Sequence, residues 1–239
     1  MKDYLLDIVK HTVPLGAFKI LRVDGTDKET TISATEEERI VVLRARTHAP
    51  IEEFKGTFGI PDVGMLNTLL SIPEYTDEGT KCLVEMKSDQ PSTVHFENPT
   101  GDFKNSFRLM SKNVIEDQEK LLDLKVKSWP VEFVPLIANQ QRLKYQETAN
   151  PEEKAVVLRL ENGEIKATVG DLKSHSGNFI FQSGIDPKVK MTVLLPIKQI
   201  NGILSLSGDK TIRIGDLGMM ISVDSGLANY DYIIPMLSK

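Results

Sequence analysis

The sequence predicts an α+β fold of two similar domains, each with two helices on one face of antiparallel sheets. Three observations carry this. The stretch from Lys190 to Leu237, KMTVLLPIKQINGILSLSGDKTIRIGDLGMMISVDSGLANYDYIIPML, reads as strand, helix and three strands. An earlier stretch from Phe54 to Met110 repeats that order, with Thr57 and Pro61 at the places of Thr192 and Pro196. A charged segment without glycine or proline, SKNVIEDQEKLLDLKVKSW from Ser111 to Trp129, lies between the halves. Repetition of one plan in two halves is the signature of a duplicated domain. The expected boundaries are 1–111, a connector over 112–129, and 130–239.

In chain order, residues 2–11 form a short helix with Leu5, Ile8 and Val9 inward, leaving Lys2, Asp3, Asp7, Lys10 and His11 outside. Strands are expected over Ala17–Val23, Thr30–Ala34 and Arg39–Arg46, with a hairpin turn at Asp24-Gly25. The strand Phe54–Ile60 runs into Pro61 and a helix striped by Val63, Leu66 and Leu70, and three strand-like runs follow. The connector carries Val114, Ile115, Leu121, Leu122, Leu124 and Val126, too apolar for a free linker. It is expected to lie on the surface, either extended or as a short helix.

The second half opens with the strand Val131–Val134 and a helix from Leu136 to Glu147. Leu136, Ile137 and Leu143 are expected to face inward, with Asn139, Arg142 and Gln146 on the polar face. Asn162-Gly163 joins Ala155–Leu160 to Glu164–Val169, the strongest hairpin signal in the chain. Asn178–Ser183 is another strand. In the final stretch Val193 and Leu195 share one strand face, and Pro196 suits the start of a helix, where a missing N–H costs nothing. Ile197, Ile200 and Leu204 make that helix's apolar stripe, with Lys198, Gln199, Asn201 and Ser205 on other faces and Gly208-Asp209 ending it. Met219, Ile221 and Val223 alternate, as do Tyr230, Tyr232 and Ile234.

The chain has 239 residues and 40% hydrophobic content, enough for packed cores. Its single cysteine, Cys82, excludes an intramolecular disulfide, fits a reducing cytoplasm and reads as a structural thiol. No apolar run is long enough for a spanning helix. The net charge is −5, with 13 basic against 18 acidic residues in 1–111 and 16 against 16 in 112–239. Such a balance argues against coating nucleic acid with the whole surface but leaves room for a local basic face. There is no glycine-rich phosphate loop and no G-x-S-x-G elbow, and His11, His48, His95 and His175 lack metal-ligand spacing. No cofactor, metal site or catalytic residue is expected. A binding or scaffolding protein is favoured over an enzyme.

FGIPDVGMLNTLLS in the first half and KTIRIGDLGMMISVDSGLANYDYIIPML at the end resemble the DNA sliding clamp family. The resemblance is closest to the polymerase processivity clamps of T4-like bacteriophages. It implies a homotrimeric ring around double-stranded DNA, bound without sequence preference. Helices would line the hole and sheets the rim. An ATP-dependent clamp loader would open the ring, which would tether the DNA polymerase in the host cytoplasm and activate late transcription.

By position in the helices, Lys2, Lys10, Arg142, Lys144 and Lys198 are the DNA-facing candidates. The resemblance places partner binding between connector and tail, here Val114, Ile115, Leu121 and Leu124 with Ile234, Pro235, Met236 and Leu237. It also implies that strands pair across subunits. Asp102–Met110 and Asn178–Ser183 fit by position, with Phe103, Phe107, Phe179 and Phe181 as apolar interface contacts. An alternative reading is a non-enzymatic phage structural or assembly protein with duplicated β-rich domains. A single-strand-binding module would want exposed aromatics among its cations, and the aromatic content is only 6%.

Overall fold

The computed structural model describes residues 1–119, 128–170 and 175–237. The chain divides into two packed units, Met1–Leu122 with Asp224–Tyr230, and Asp123–Val223 with Asp231–Lys239. The first contains α1 (Lys2–Thr12), β1 (Leu21–Gly25), β2 (Thr30–Thr35), β3 (Val42–Thr47), β4 (Gly56–Ile60), α2 (Val63–Leu70), β5 (Lys81–Lys87), β6 (Gln90–Glu97), β7 (Lys104–Arg108) and α3 (Lys112–Gln118). The second contains β8 (Val131–Phe133), α4 (Ile137–Ala149), β9 (Ala155–Glu161), β10 (Glu164–Gly170), β11 (Ser176–Ser183), β12 (Met191–Pro196), α5 (Ile197–Leu204), β13 (Asp209–Gly215) and β14 (Gly218–Asp224). The last strand, β15 (Ala228–Pro235), gives its first residues to one unit and its remainder to the other.

The repeat read from sequence is present as topology. In the first unit antiparallel strands run in the order β4-β1-β2-β3; in the second the order is β12-β9-β10-β11. Each set follows one helix and leads directly into another, α2 or α5, and both of these span eight residues. The two helices close differently. Asp62 caps α2 by accepting a hydrogen bond from the Met65 N–H at 2.8 Å, an interaction typically worth about 1 kcal/mol. Pro196 offers α5 no side-chain cap, and the Ile197 N–H bonds the Lys154 carbonyl instead. The stripes Val63, Leu66, Leu70 and Ile197, Ile200, Leu204 are all buried. Each such side chain contributes roughly 1.5–3 kcal/mol over its exposed state.

Asn162 and Gly163 form the β9–β10 hairpin with φ of 53° and 81°, the left-handed pair that such a turn requires. Met219, Ile221, Val223, Tyr230, Tyr232 and Ile234 are buried, as their alternation predicts. Burial also pushes the Cys82 thiol up to about 11, in keeping with a structural role.

Several expectations need correction. The first strand begins at Leu21, not Ala17, because Val13–Leu15 form a 3-10 turn that delays it. The first hairpin turns at Thr26–Glu29 rather than Asp24-Gly25, closed by the Thr26 N–H on the Glu29 carbonyl. The third strand starts at Val42, since Arg39 takes a left-handed φ of 59° in the preceding turn. The helix α5 ends at Leu204, four residues before Gly208.

Asp7 and His11 are buried, not outside. Asp7 Oδ2 accepts from Tyr230 Oη at 2.7 Å and Ser225 Oγ at 2.8 Å, and the His11 ring stacks on Tyr230 with centroids 4.5 Å apart. A polar side chain on an otherwise inward face marks a partner supplied by a distant part of the chain, here the last hairpin.

The same error recurs in α4. Leu136 and Ile137 are 62% and 73% exposed, while Asn139, assigned to the polar face, is buried. Asn139 turns in because the Phe181 carbonyl of β11 takes its amide N–H at 2.8 Å. Asn201 is likewise buried, donating to Glu147 Oε2 at 2.7 Å and so tying α5 to α4.

The connector begins as a short helix. Ile115 of α3 is fully buried against the bare face of Gly59, where an added Cβ would sit 2.8 Å from Ile115 Cδ1. Leu121, Leu122, Leu124 and Val126 lie outside the described residues.

Candidate nucleic-acid interface and docking surfaces

Each unit packs its helices as a pair, α1 with α2 and α4 with α5. Their surfaces differ in charge. In the first unit Lys10 is exposed and Lys2 half-buried, beside the exposed carboxylates Asp3 and Asp62. In the second, Arg142, Lys144 and Lys198 are all exposed. Glu147, the one acidic residue of α4 and α5, is engaged by Asn201.

Arg142 is positioned as well as exposed. Its Nη1 donates to Asn139 Oδ1 at 3.1 Å, and Asn139 is itself fastened to β11. Between α4 and α5 runs a shallow groove lined by Gln140, Gln141, Lys144, Asn201 and Ser205, four neutral polar side chains and one cation, together with the apolar Ile137 and Leu204. Such a surface attracts phosphates without presenting a rigid set of base-reading groups.

The proposed interface strands occupy sheet edges. β7 ends the order β5-β6-β7, and β11 ends the order β11-β10-β9-β12. By contrast, the outer edges of the equivalent strands β4 and β12 have backbone partners. Met110 exchanges two backbone hydrogen bonds with Gly59 of β4, at 2.8 and 3.0 Å, and the Leu237 N–H bonds the Leu194 carbonyl of β12 at 2.9 Å. Phe103 is partly exposed and leans on Tyr75, whereas Phe107 is buried in its own unit. Phe179 is half-buried, edge-on to the buried Phe181, and Ile180 between them is exposed. The backbone edge and Phe103, Phe179 and Ile180 are therefore the available contacts. Lys81 of β5 and Lys104 of β7 both pair with Glu97 of β6, holding its carboxyl down at about 2.

The partner candidates separate in the same way. Ile115 and Ile234 are fully buried and pack the core, while Val114 and Met236 are exposed and Pro235 and Leu237 half-buried. The tail is fastened: the Met236 N–H bonds the Leu217 carbonyl at 2.9 Å. The side chains of the two residues it joins are both exposed, Leu217 at 48% and Met236 at 41%. Sequence reasoning missed Leu217. Its signal was a large apolar residue at the tip of the tight Asp216-Leu217-Gly218 turn, where burial is impossible.

Among the described residues no helix is long and apolar enough to cross a membrane, and no cluster of His, Cys, Asp or Glu has the geometry for a metal.

The α+β architecture, with its two similar units and antiparallel sheets, is the fold of the PCNA-type sliding clamps. One similar structure is A. fulgidus PCNA bound to the C-terminal region of FEN-1, at 12% identity and a TM-score of 0.70, with 100% of this chain and 97% of that one covered. Another is PCNA from Thermococcus kodakaraensis, at 10% identity and 0.69, with 99% and 97% covered. No family profile and no curated protein matches the sequence.

Proposed function

We propose that this chain is a DNA sliding clamp, a processivity factor whose three copies close into a ring around duplex DNA and tether a replicative polymerase. The observation that carries the reading is the pair of sheet edges at β7 and β11, one in each unit; β5 and β8 also end sheets, while β4 and β12, which correspond to each other, have backbone partners. Head-to-tail association needs two different surfaces on each copy and closes when the rotation per copy completes a circle. In this reading an ATP-dependent loader opens the ring. The resemblance of the last strand and of FGIPDVGMLNTLLS to the clamps of T4-like phages supports a phage source, action in the host cytoplasm and a second role in late transcription. The domains divide at 1–111 and 130–239 around the connector.

The DNA-facing surface is the exposed side of α1, α2, α4 and α5, with Lys2, Lys10, Arg142, Lys144 and Lys198 as its cations. The second unit carries most of the attraction. Arg142→Ala with Lys198→Ala is expected to shorten retention on circular DNA and to lower the log–log salt slope of DNA binding by roughly one per cation removed. Retention measured from 50 to 200 mM salt checks this; an unchanged slope removes both residues from the bore.

Docking of the polymerase uses exposed apolar anchors, Leu217 and Met236 in the second unit; Val114 is a separate exposed apolar residue of the first. Leu217→Ser with Met236→Ser is expected to abolish polymerase stimulation, since a few desolvated anchors dominate such contacts. Native mass should be unaltered. A primer-extension assay with full stimulation by the folded variant places the site elsewhere.

A further inference from the structure

A second recognition site lies within the first unit. The loop before β1, the β2–β3 turn and the end of α3 enclose a cleft of about 390 Å³, lined by Lys19, Glu36, Glu37, Arg39, Asp117 and Glu119 among others. Four of these side chains are acidic and two basic. Three carboxylates sit at the rim in ordinary surroundings: Glu37 is exposed and paired with Lys19 at 2.7 Å, Glu36 accepts the Ile40 N–H at 3.0 Å, and Asp117 is exposed.

Glu119 differs. It is only 8% exposed, and its Oε1 is buried with no hydrogen-bond partner among the described residues. Burial raises its carboxyl above the ordinary range, more than neighbouring Thr35 and Arg22 lower it. A buried carboxylate oxygen without a donor is costly, and native structures almost always supply one. Of the nearby cations, Arg22 grips Asp24 through Nε and Nη2 at 2.8 and 3.1 Å and Lys19 holds Glu37 at the surface, while Arg39 is exposed at the cleft margin.

We propose that this cleft binds one basic side chain, Lys or Arg, of a partner protein, with Glu119 as the buried anion and Glu37 and Asp117 as the rim. A guanidinium or ammonium supplies the donor that Oε1 lacks, and the local acidic excess favours its entry. The burial that raises the Glu119 carboxyl above the usual range is relieved when that charge arrives. The site shares no residue with the Leu217–Met236 anchors and does not depend on ring closure. It would give a partner charge discrimination where the anchors give affinity.

The test is an NMR titration of the full labelled chain with Nα-acetyl-arginine amide, repeated with the uncharged citrulline amide. The expected result is saturable shifting at residues 35–39 and 117–119 by the arginine probe alone, and about a tenfold weaker response in Glu119→Gln, equivalent to about 1.4 kcal/mol. Equal shifts from citrulline, shifts confined to other regions, no saturation, or an unweakened response in folded Glu119→Gln each overturn the proposal. Should that variant fail to fold, the wild-type map and the arginine–citrulline comparison decide.

Discussion

Phe179→Pro is expected to convert a trimer into folded monomers that no longer stay on circular DNA. β11 ends its sheet, and Phe179 pairs inward with Ala167 of β10. Proline removes one backbone donor and fixes φ, and an edge strand is where a sheet survives such a change. An edge whose backbone is bent no longer offers the regular ladder that a second chain needs. Phe179→Ala separates side chain from backbone. It loses the edge-on contact with Phe181 but keeps the strand, so it should weaken the trimer without abolishing it. Native mass spectrometry distinguishes the two variants, and a circular-dichroism melt confirms that each is folded. A Pro variant that remains trimeric makes β11 the wrong edge.

The largest stability effect is expected at Asp7. Burial pushes its carboxyl up, but hydrogen bonds from His11, Tyr230 and Ser225 outweigh that and leave it below the ordinary carboxylate range. Asp7→Ala removes a buried acceptor from the Tyr230 hydroxyl and one of the partners of Ser225, whose Oγ keeps the Ala228 carbonyl at 3.1 Å, and costs about 2 kcal/mol, a fall of roughly 4–8 °C in Tm for a chain of this size. The sign with pH follows from the depressed folded value. The ionised side chain stabilises the fold above the unfolded carboxylate value near ~4, and that stabilisation is lost as pH falls through the lower folded value. Melts of wild type and Asp7→Ala should therefore differ most at neutral pH and converge in acid. An equal gap at both ends of the range would remove the carboxylate charge as the cause.

The order of elements was legible because it rests on periodicity. Val63, Leu66 and Leu70 at helical spacing and Met219, Ile221 and Val223 in alternation admit one burial pattern each, and both are buried as read. Polar residues on helices misled, because their burial depends on a distant partner. Nothing near Asp7 in sequence announces Tyr230, and nothing near Asn139 announces the Phe181 carbonyl. Leu136 and Ile137 failed for the converse reason: an apolar residue at a helix start says nothing of whether anything covers it. The exposure of Lys10, Arg142, Lys144 and Lys198 was legible, since long basic side chains on the polar faces of helices stay in water, while Lys2 is half-buried. The exposed members of the tail were half legible. Ile-Pro-Met-Leu at the end of the chain stood out, but which of its members points outward is set by the bonds of Met236 to Leu217 and Leu237 to Leu194.

Ring closure is the claim on which the functional account depends, and the mass of the wild-type assembly tests it most directly. Native mass spectrometry over a micromolar dilution series should give three copies of the 26.7 kDa chain, about 80 kDa, as the dominant species. A monomer throughout that series would contradict a stable ring and, with it, the reading of β7 and β11 as complementary edges.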